Sequence, residues 1–363
     1  MDIWLAASVP SKYFGGVNRN KLSFAAGLEE RGHTVNTIFN DSHGFAGHPF
    51  VFPFRLCVQL LFSRKRPDWI MARSFDGVLC ALACRVLYLS TRMILHNHGW
   101  EEYVYDVERR LPANFGAVPR TTWKAKLVRF PLLRLMLRAC TICVSGTISE
   151  IRWVQTKYPY CRSKMRYVPN GVQNRECPFW ERQTSWPLNF LSIGWFSWKK
   201  NLEQTLDVFN VVYRKFPQAR LYIIGTGIHG VPEQVALRKM ETCVFNVGDE
   251  GFEAMDTWYS RCPFLISSSR YEGGHSLAIM EAMSYGMVVF VSRIPQTTEF
   301  VRNRWNGVIL DGCDTGADAE RMLPFITDKN GCIEMRRRAY ATAMRNRWQR
   351  QVQRLARIIE QKT

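Results

Sequence analysis

Short apolar runs rich in strand-forming residues recur at positions 2–7, 34–39, 69–72, 93–95, 141–145 and 166–169, with longer stretches of helical character between them. Strand and helix alternating in this way predict parallel βαβ units. A second series begins at 190–194 and continues at 221–225, 264–267, 288–292 and 308–310, again with helix-like intervals. Two doubly wound α/β halves follow. The polar stretch 174–187 lies between them, with two prolines and no periodicity, and reads as a linker. The expected organisation is a first Rossmann-like domain at 1–173, a linker at 174–187, a second Rossmann-like domain at 188–345 and a C-terminal helix at 346–363. The basic stretch 335–361 contains neither Gly nor Pro and predicts a single long helix.

The chain has 363 residues, 47% of them apolar, which is enough to bury a core in each of two domains. Lysine and arginine exceed aspartate and glutamate by 49 − 31 = 18, so the protein is drawn to phosphates on nucleotides, nucleic acid or anionic lipid. The eleven cysteines are an odd number, and the close pairs Cys80/Cys84 and Cys140/Cys143 lack matching pairs for a zinc site. No metal is expected, and free thiols in a reducing compartment are. The opening residues carry no basic leader, and no window reaches about 18 uninterrupted apolar residues. A cytoplasmic protein that does not span a membrane is the expectation.

One loop carries most of the chemistry. Tyr271-Glu272-Gly273-Gly274-His275-Ser276 follows the run 264–267 and precedes an apolar helix that starts at Leu277 and is closed by Gly286. Glycines there let backbone N–H groups approach an anion, and a helix N-terminus adds about half a positive charge. A diphosphate fits that spot. Glu281 lies inside the helix, where an ionised carboxylate needs donors, and two vicinal ribose hydroxyls supply a bidentate pair. A salt-bridged glutamate beside an ordinary Gly-Gly loop is the competing reading.

The string Ser269-Arg270-Tyr271-Glu272-Gly273-Gly274, continued by Glu281-Ala282-Met283 and Gly286, resembles the two-glutamate motif of the retaining GT-B glycosyltransferases of family 4, the glycosyl transferases group 1. Further landmarks stand in the family's order: Gly15-Gly16-Val17 and Arg31-Gly32-His33-Thr34-Val35; His98-Gly99; Val168-Pro169-Asn170-Gly171; Gly194 with Lys200-Asn201; Gly225-Thr226-Gly227; and Glu299 before Asn306-Gly307. The resemblance implies a GT-B fold, two Rossmann-like domains facing across a cleft with the C-terminal helix returning to the first. It implies that Gly15 and Gly16 close over the donor diphosphate beside Gly194 and Gly225, and that Lys200 contacts that diphosphate. Glu281 would hold the ribose, Glu272 with the Gly274, His275 and Ser276 backbone the transferred sugar, with Gly273 and Leu277 also at the donor, and His98 would sit by sugar and acceptor. His98, Glu272 and Lys200 are thereby the catalytic set. Two departures stand out: eight residues separate Glu272 from Glu281 where the family usually has seven, and Trp195 occupies the place of the usual arginine. Either Lys200 works alone there, or Arg270 or Lys199 supplies the second charge, since arginine grips phosphate in a fixed fork and tryptophan cannot.

Two other readings compete. Gly225-Thr226-Gly227-Ile228-His229-Gly230 fits G-x-G-x-x-G after a strand, with Asp249 about 20 residues on, as in an NAD-dependent oxidoreductase. A catalytically degenerate GT-B binding protein is the other. The segment from Trp123 to Arg138 interleaves cations with bulky apolar residues, as a helix lying in an anionic headgroup layer does, although an ordinary helix covering the sheet reads the same way. No nucleic-acid module is visible. The sequence thus points to a cytoplasmic, peripherally membrane-associated, retaining hexosyltransferase of polysaccharide or glycoconjugate biosynthesis. Its donor is a UDP- or GDP-linked sugar, it needs no cofactor or essential metal, and its acceptor is a glycan or a lipid-linked glycan.

Overall fold

A computed structural model describes residues 1–11, 15–41, 51–110, 123, 125–175, 186–225 and 230–361. The chain divides into two compact units, one of residues 1–170 and 348–363 and the other of residues 171–347. Most of the expected linker (176–185) and residues 226–229 of the glycine-rich G-x-G-x-x-G string lie outside the described residues.

The first unit is built on six parallel strands, β1 (Asp2–Ala7), β2 (Thr34–Phe39), β3 (Trp69–Arg73), β4 (Arg92–Asn97), β5 (Ile142–Ser145) and β6 (Met165–Tyr167). Their order is β2-β1-β3-β4-β5-β6, so the sheet reverses direction of growth between β1 and β3. The helices are α1 (Gly16–Glu29), α2 (Phe52–Phe62), α3 (Val78–Val86), α4 (Glu101–Glu108), α5 (Phe130–Ala139) and α6 (Ile148–Lys157). Trp4, Ala6, Ile70, Ala72, Met93 and Leu95 face a core closed by α2, α3 and α5, which is why these strands read as near-continuous apolar runs.

The second unit repeats the principle with β7 (Asn189–Ile193), β8 (Arg220–Ile224), β9 (Val244–Gly248), β10 (Phe264–Ser267), β11 (Val288–Ser292) and β12 (Val308–Leu310). The order is β12-β11-β10-β7-β8-β9, all parallel, with its reversal between β7 and β10. Its helices are α7 (Leu202–Lys215), α8 (Val231–Leu237), α9 (Phe252–Arg261), α10 (Leu277–Ser284), α11 (Pro295–Thr298), α12 (Thr315–Thr327) and α13 (Ile333–Met344). Strand residues alternate between two cores: Phe190, Phe264 and Phe290 enter one with α7 and α12, while Leu191, Leu265 and Val289 enter the other with α10 and α13.

Three sequence expectations change. The strand β9 is not among the expected runs: it is an edge strand whose Phe245 and Asn246 are exposed, and Asn246 cuts its apolar residues to the short run Cys243-Val244-Phe245. The single helix expected over 335–361 is two: α13, and α14 (Trp348–Glu360) of the first unit. At the break the Asn346 side chain donates to Thr342 O at 3.0 Å, its own carbonyl accepts Val172 N at 3.0 Å, and Arg347 bridges to Val172. Local capping there replaces helix continuation. Beyond it, Trp348, Val352, Leu355, Ala356 and Ile359 form the buried stripe of α14. That stripe meets α1 so closely that a Cβ on Gly27 would lie 2.5 Å from Val352 Cγ2. The third change concerns the segment from Trp123 to Arg138, which begins with a π-helical turn (Ala125–Arg129) before α5.

Candidate active site

In the second unit the loops after β7 and β10 leave the sheet where the strand order reverses, the position at which open α/β sheets bind ligands. Gly194 follows β7 with φ of 147° and donates to Ile224 O at 3.0 Å, while Gly225 follows β8 with φ of 138° and donates to Gly248 O at 2.8 Å. Both positions exclude a side chain. A Cβ on Gly225 would lie 2.1 Å from Gly194 O, and one on Gly194 would lie 2.8 Å from Lys200 Cε. Gly225 is thus explained by close passage of two strand ends, without any dinucleotide.

The space kept open at Gly194 holds the Lys200 side chain. Lys200 closes a short 3-10 turn (Trp198–Lys200) and donates from Nζ to Glu272 Oε1 at 2.6 Å. Ser269 Oγ donates to the same oxygen at 2.6 Å, and Glu272 is buried. A carboxylate out of water needs such charge-assisted partners. Arg270 ties the two loops together: its N–H donates to Lys199 O at 2.7 Å and its Nη1 to Trp198 O at 3.1 Å. Burial holds its guanidinium below the usual arginine range, with Glu203 opposing. Lys199 lies over the Tyr271 ring, 5.4 Å from its centroid, and Trp195 is exposed.

After Glu272 the chain passes Gly273, half-buried, and Gly274, whose φ is 114°, and enters α10 at Leu277. Ser276 is the N-cap, and its side chain makes no capping bond, so the helix presents its first-turn amides at this end. His275 is buried against the Phe300 ring at 4.7 Å, with Nε2 3.7 Å from Glu299 Oε2. Glu281 is 6% exposed although Ile279, Met280, Ala282 and Met283 surround it in sequence. Tyr259 Oη donates to its Oε2 at 2.8 Å.

In the first unit Gly15 caps α1 without a side-chain bond, Gly16 opens that helix, and His98 follows β4 ahead of Gly99, whose φ is 107°. The His98 and His96 rings lie 4.2 Å apart. Burial first, then the positive charge of Lys21 and Arg73, holds His98 well below the usual histidine range. Lys21, 0% exposed, donates to Met71 O at 3.0 Å, and burial lowers its pKa to about 7 against the attraction of Asp76. Asp76 accepts Ser8 N at 2.8 Å across the strand reversal, and burial raises it to about 6.

The second unit therefore brings Gly194, Gly225, Lys200, Arg270 and Glu272 together through contacts, and the loop from Gly273 and Gly274 through Ser276 runs on from Glu272 into α10 at Leu277, while His275 meets Phe300 and Glu299 and Glu281 meets Tyr259. Gly15, Gly16 and His98 lie in the first unit. Ser269, Tyr259, Lys21 and Asp76 were not anticipated. A signal existed for Lys21, which sits on the helical stripe with Phe24, Ala25 and Leu28 and so had to be buried. None existed for Tyr259, which lies 22 residues from its partner.

Solved structures share this architecture. Sucrose-phosphate synthase from Thermosynechococcus elongatus superposes with a TM-score of 0.81 at 14% identity, over 100% of this chain and 99% of that one. Anabaena Alr3699/HepE in complex with UDP and glucose gives 0.72 at 14% identity, over 98% and 99%. At such identity the likeness establishes the fold: a two-domain α/β protein of GT-B type. The family follows from sequence models, Glycosyltransferase Family 4 matching residues 14–175 and glycosyl transferases group 1 matching residues 187–328. The chain belongs to the group 1/family 4 glycosyltransferases. A GDP-mannose:cellobiosyl-diphosphopolyprenol alpha-mannosyltransferase of Xanthomonas oryzae pv. oryzae is 27% identical over 174 residues, 46% of this chain and 45% of that protein. The chain thus matches less than half the length of that relative.

Proposed function

We propose that the protein transfers a hexose from a nucleoside diphosphate sugar, held in the second unit, to a glycan or lipid-linked glycan, with retention at the anomeric carbon. The observation that carries this reading is the Lys200–Glu272 pair at the sheet's reversal, beside the amide end of α10. As the bond from the anomeric carbon to the phosphate oxygen breaks, negative charge grows on the diphosphate. Lys200 and the loop amides stand where they can stabilise it, so no metal need be essential. The acceptor hydroxyl forms the new bond on the same face and its proton passes to the departing phosphate. Glu272 accepts from sugar hydroxyls, and Glu281 from the ribose. Gly15, Gly16 and His98 serve the donor loop and the acceptor in this reading. The relative's name joins GDP-mannose to a diphosphopolyprenol-linked acceptor, and HepE was solved with UDP-glucose, which favours UDP or GDP as the nucleotide.

The same reading places the protein at the cytoplasmic face of a membrane. In the first unit α2 exposes Phe54 (63%) and Phe62 (83%) ahead of Arg64, Lys65 and Arg66, and Tyr88 after α3 is 93% exposed. Trp123 and Leu127 are exposed likewise. The cations of that second segment are engaged within the protein: Arg134 with Glu102 at 2.8 Å, Lys126 with Tyr105 Oη at 2.8 Å, and Arg129 with Glu101 at 3.7 Å. Apolar side chains would therefore carry the attachment there, and Lys124 lies outside the described residues. Screening UDP-, GDP- and ADP-sugars for thermal stabilisation and nucleoside diphosphate release tests the reading. Absence of both with every donor, or release coupled to nicotinamide reduction, would overturn it.

A further inference from the structure

The bond between Tyr259 and Glu281 has a consequence for how a nucleotide is recognised. Glu281 projects from the middle of α10 among apolar neighbours, and a glutamate's last torsion is broad, so its carboxylate plane has no intrinsic orientation. Tyr259, on α9, is itself buried, and its hydroxyl donates to Glu281 Oε2 at 2.8 Å. A phenylalanine would satisfy the packing equally. The Tyr259 ring is held in turn: Tyr285, just past α10, stacks on it with centroids 5.0 Å apart and planes 21° from parallel. Tyr285 donates to Asp256 Oδ1, and Arg175 lies 3.7 Å from the centroid of the Tyr285 ring while its Nη2 meets Asp256 at 3.0 Å. Burial and the Asp256 carboxylate raise Tyr285 above the usual phenol range, so it stays protonated and keeps that bond.

We propose that Tyr259 is a positioning residue whose hydroxyl sets the plane of the Glu281 carboxylate, so that Glu281 accepts the two vicinal hydroxyls of a nucleoside ribose together. This rests on the donor-site reading above. A bidentate acceptor works only with its plane aligned to both donors, and holding that plane before the ligand arrives removes an ordering cost from binding. The consequence is specificity for a ribonucleotide, supplied by a residue that does not touch it.

The test uses UDP, GDP and their 2′-deoxy counterparts as probes, titrated by calorimetry into the full chain. Wild type binds UDP or GDP more tightly than the deoxy form. Tyr259→Phe keeps the stacked ring and is expected to weaken the ribonucleotide about five- to tenfold while leaving the deoxy form within about twofold, so that discrimination shrinks. Glu281→Ala loses discrimination, and adding Tyr259→Phe to it weakens binding no further, because the two act as one unit. The ratio of two affinities does not depend on the folded fraction, so a lowered melting temperature leaves the result readable. Wild-type discrimination in Tyr259→Phe, or additive losses in the double variant, overturns the role of Tyr259 alone. If Glu281→Ala itself discriminates as wild type does, or no probe binds the wild type, the donor-site reading falls and takes this proposal with it.

Discussion

Lys200 Nζ lies 2.6 Å from Glu272 Oε1, and these two residues, 72 positions apart in sequence, form an ion pair between the loops that leave β7 and β10. Ser269 is the second donor to that oxygen. In the proposed donor site, a diphosphate at Lys200 would meet an ammonium already paired and oriented by Glu272. Lysine with three donors can serve both.

Removing Lys200 from this part-buried pair is expected to cost more than the pair itself contributes, because the buried Glu272 carboxylate is left with less compensation. Lys200→Ala should lower kcat/KM for the accepted nucleotide sugar at least tenfold and also lower the melting temperature. Glu272→Gln keeps shape and the Ser269 bond, and should lower turnover with a smaller loss of stability. Steady-state kinetics and thermal unfolding of both variants check this; wild-type kinetics in either would show the pair lies outside the reaction.

Gly194→Ala changes no charge, yet it places a methyl group 2.8 Å from Lys200 Cε at a backbone φ of 147°. The expected outcome is a displaced lysine and a loss of activity approaching that of Lys200→Ala. Gly225→Ala collides with backbone, Gly194 O at 2.1 Å, which cannot swing away. That variant should lower the melting temperature further than Gly194→Ala does. Equal melting temperatures for the two would contradict the geometry.

The buried lysine of the first unit gives a pH signature. Lys21 titrates near 7 in the folded protein against 10.5 ordinarily, chiefly through burial. Between those values the unfolded chain binds more protons, so this group makes stability rise with pH, at up to about 1.4 kcal/mol per unit. Asp76, raised to about 6 from 3.8, acts oppositely and lower down: the stability it lends at acid pH is lost as pH climbs from about 4 to 6. Lys21→Met should therefore be more stable than wild type at pH 7, with the advantage shrinking toward pH 10. Melting curves at pH 7, 8.5 and 10 measure it, and a gap constant with pH would show that Lys21 is charged in the fold.

Membrane attachment through exposed apolar side chains should survive loss of the neighbouring cations better than loss of the rings. Phe54→Ser with Phe62→Ser, and separately Trp123→Ser with Leu127→Ser, should reduce cosedimentation with phosphatidylglycerol vesicles severalfold without lowering the melting temperature, because these side chains stand in solvent. Raising salt from 0.1 M to 1 M shortens the Debye length from about 10 Å to about 3 Å and should weaken only the part that depends on Arg64, Lys65 and Arg66. Unchanged sedimentation of both double variants would make α2 and the Trp123 segment ordinary coverings of the sheet.

By itself the sequence determined the two α/β halves, because strands buried on both faces must be written as apolar runs, and 288–292 or 264–267 admits little else. It also marked the glycine loop and the glutamate of α10, since a charge among apolar helix residues and consecutive glycines after a strand are local anomalies, readable without partners. Tertiary structure decided the rest. That Arg336, in a stretch read as a basic helix, turns inward to Gly286 O at 2.6 Å depends on what packs beside α13. The break before Trp348 depends on which unit each half of that stretch can bury its apolar stripe against. Which oxygen of Glu272 meets Lys200, and that Tyr259 reaches Glu281, depend on the order of strands in the sheet. Strand order brings β7 beside β10 across 70 intervening residues (194–263), and no local pattern encodes a distance of that kind.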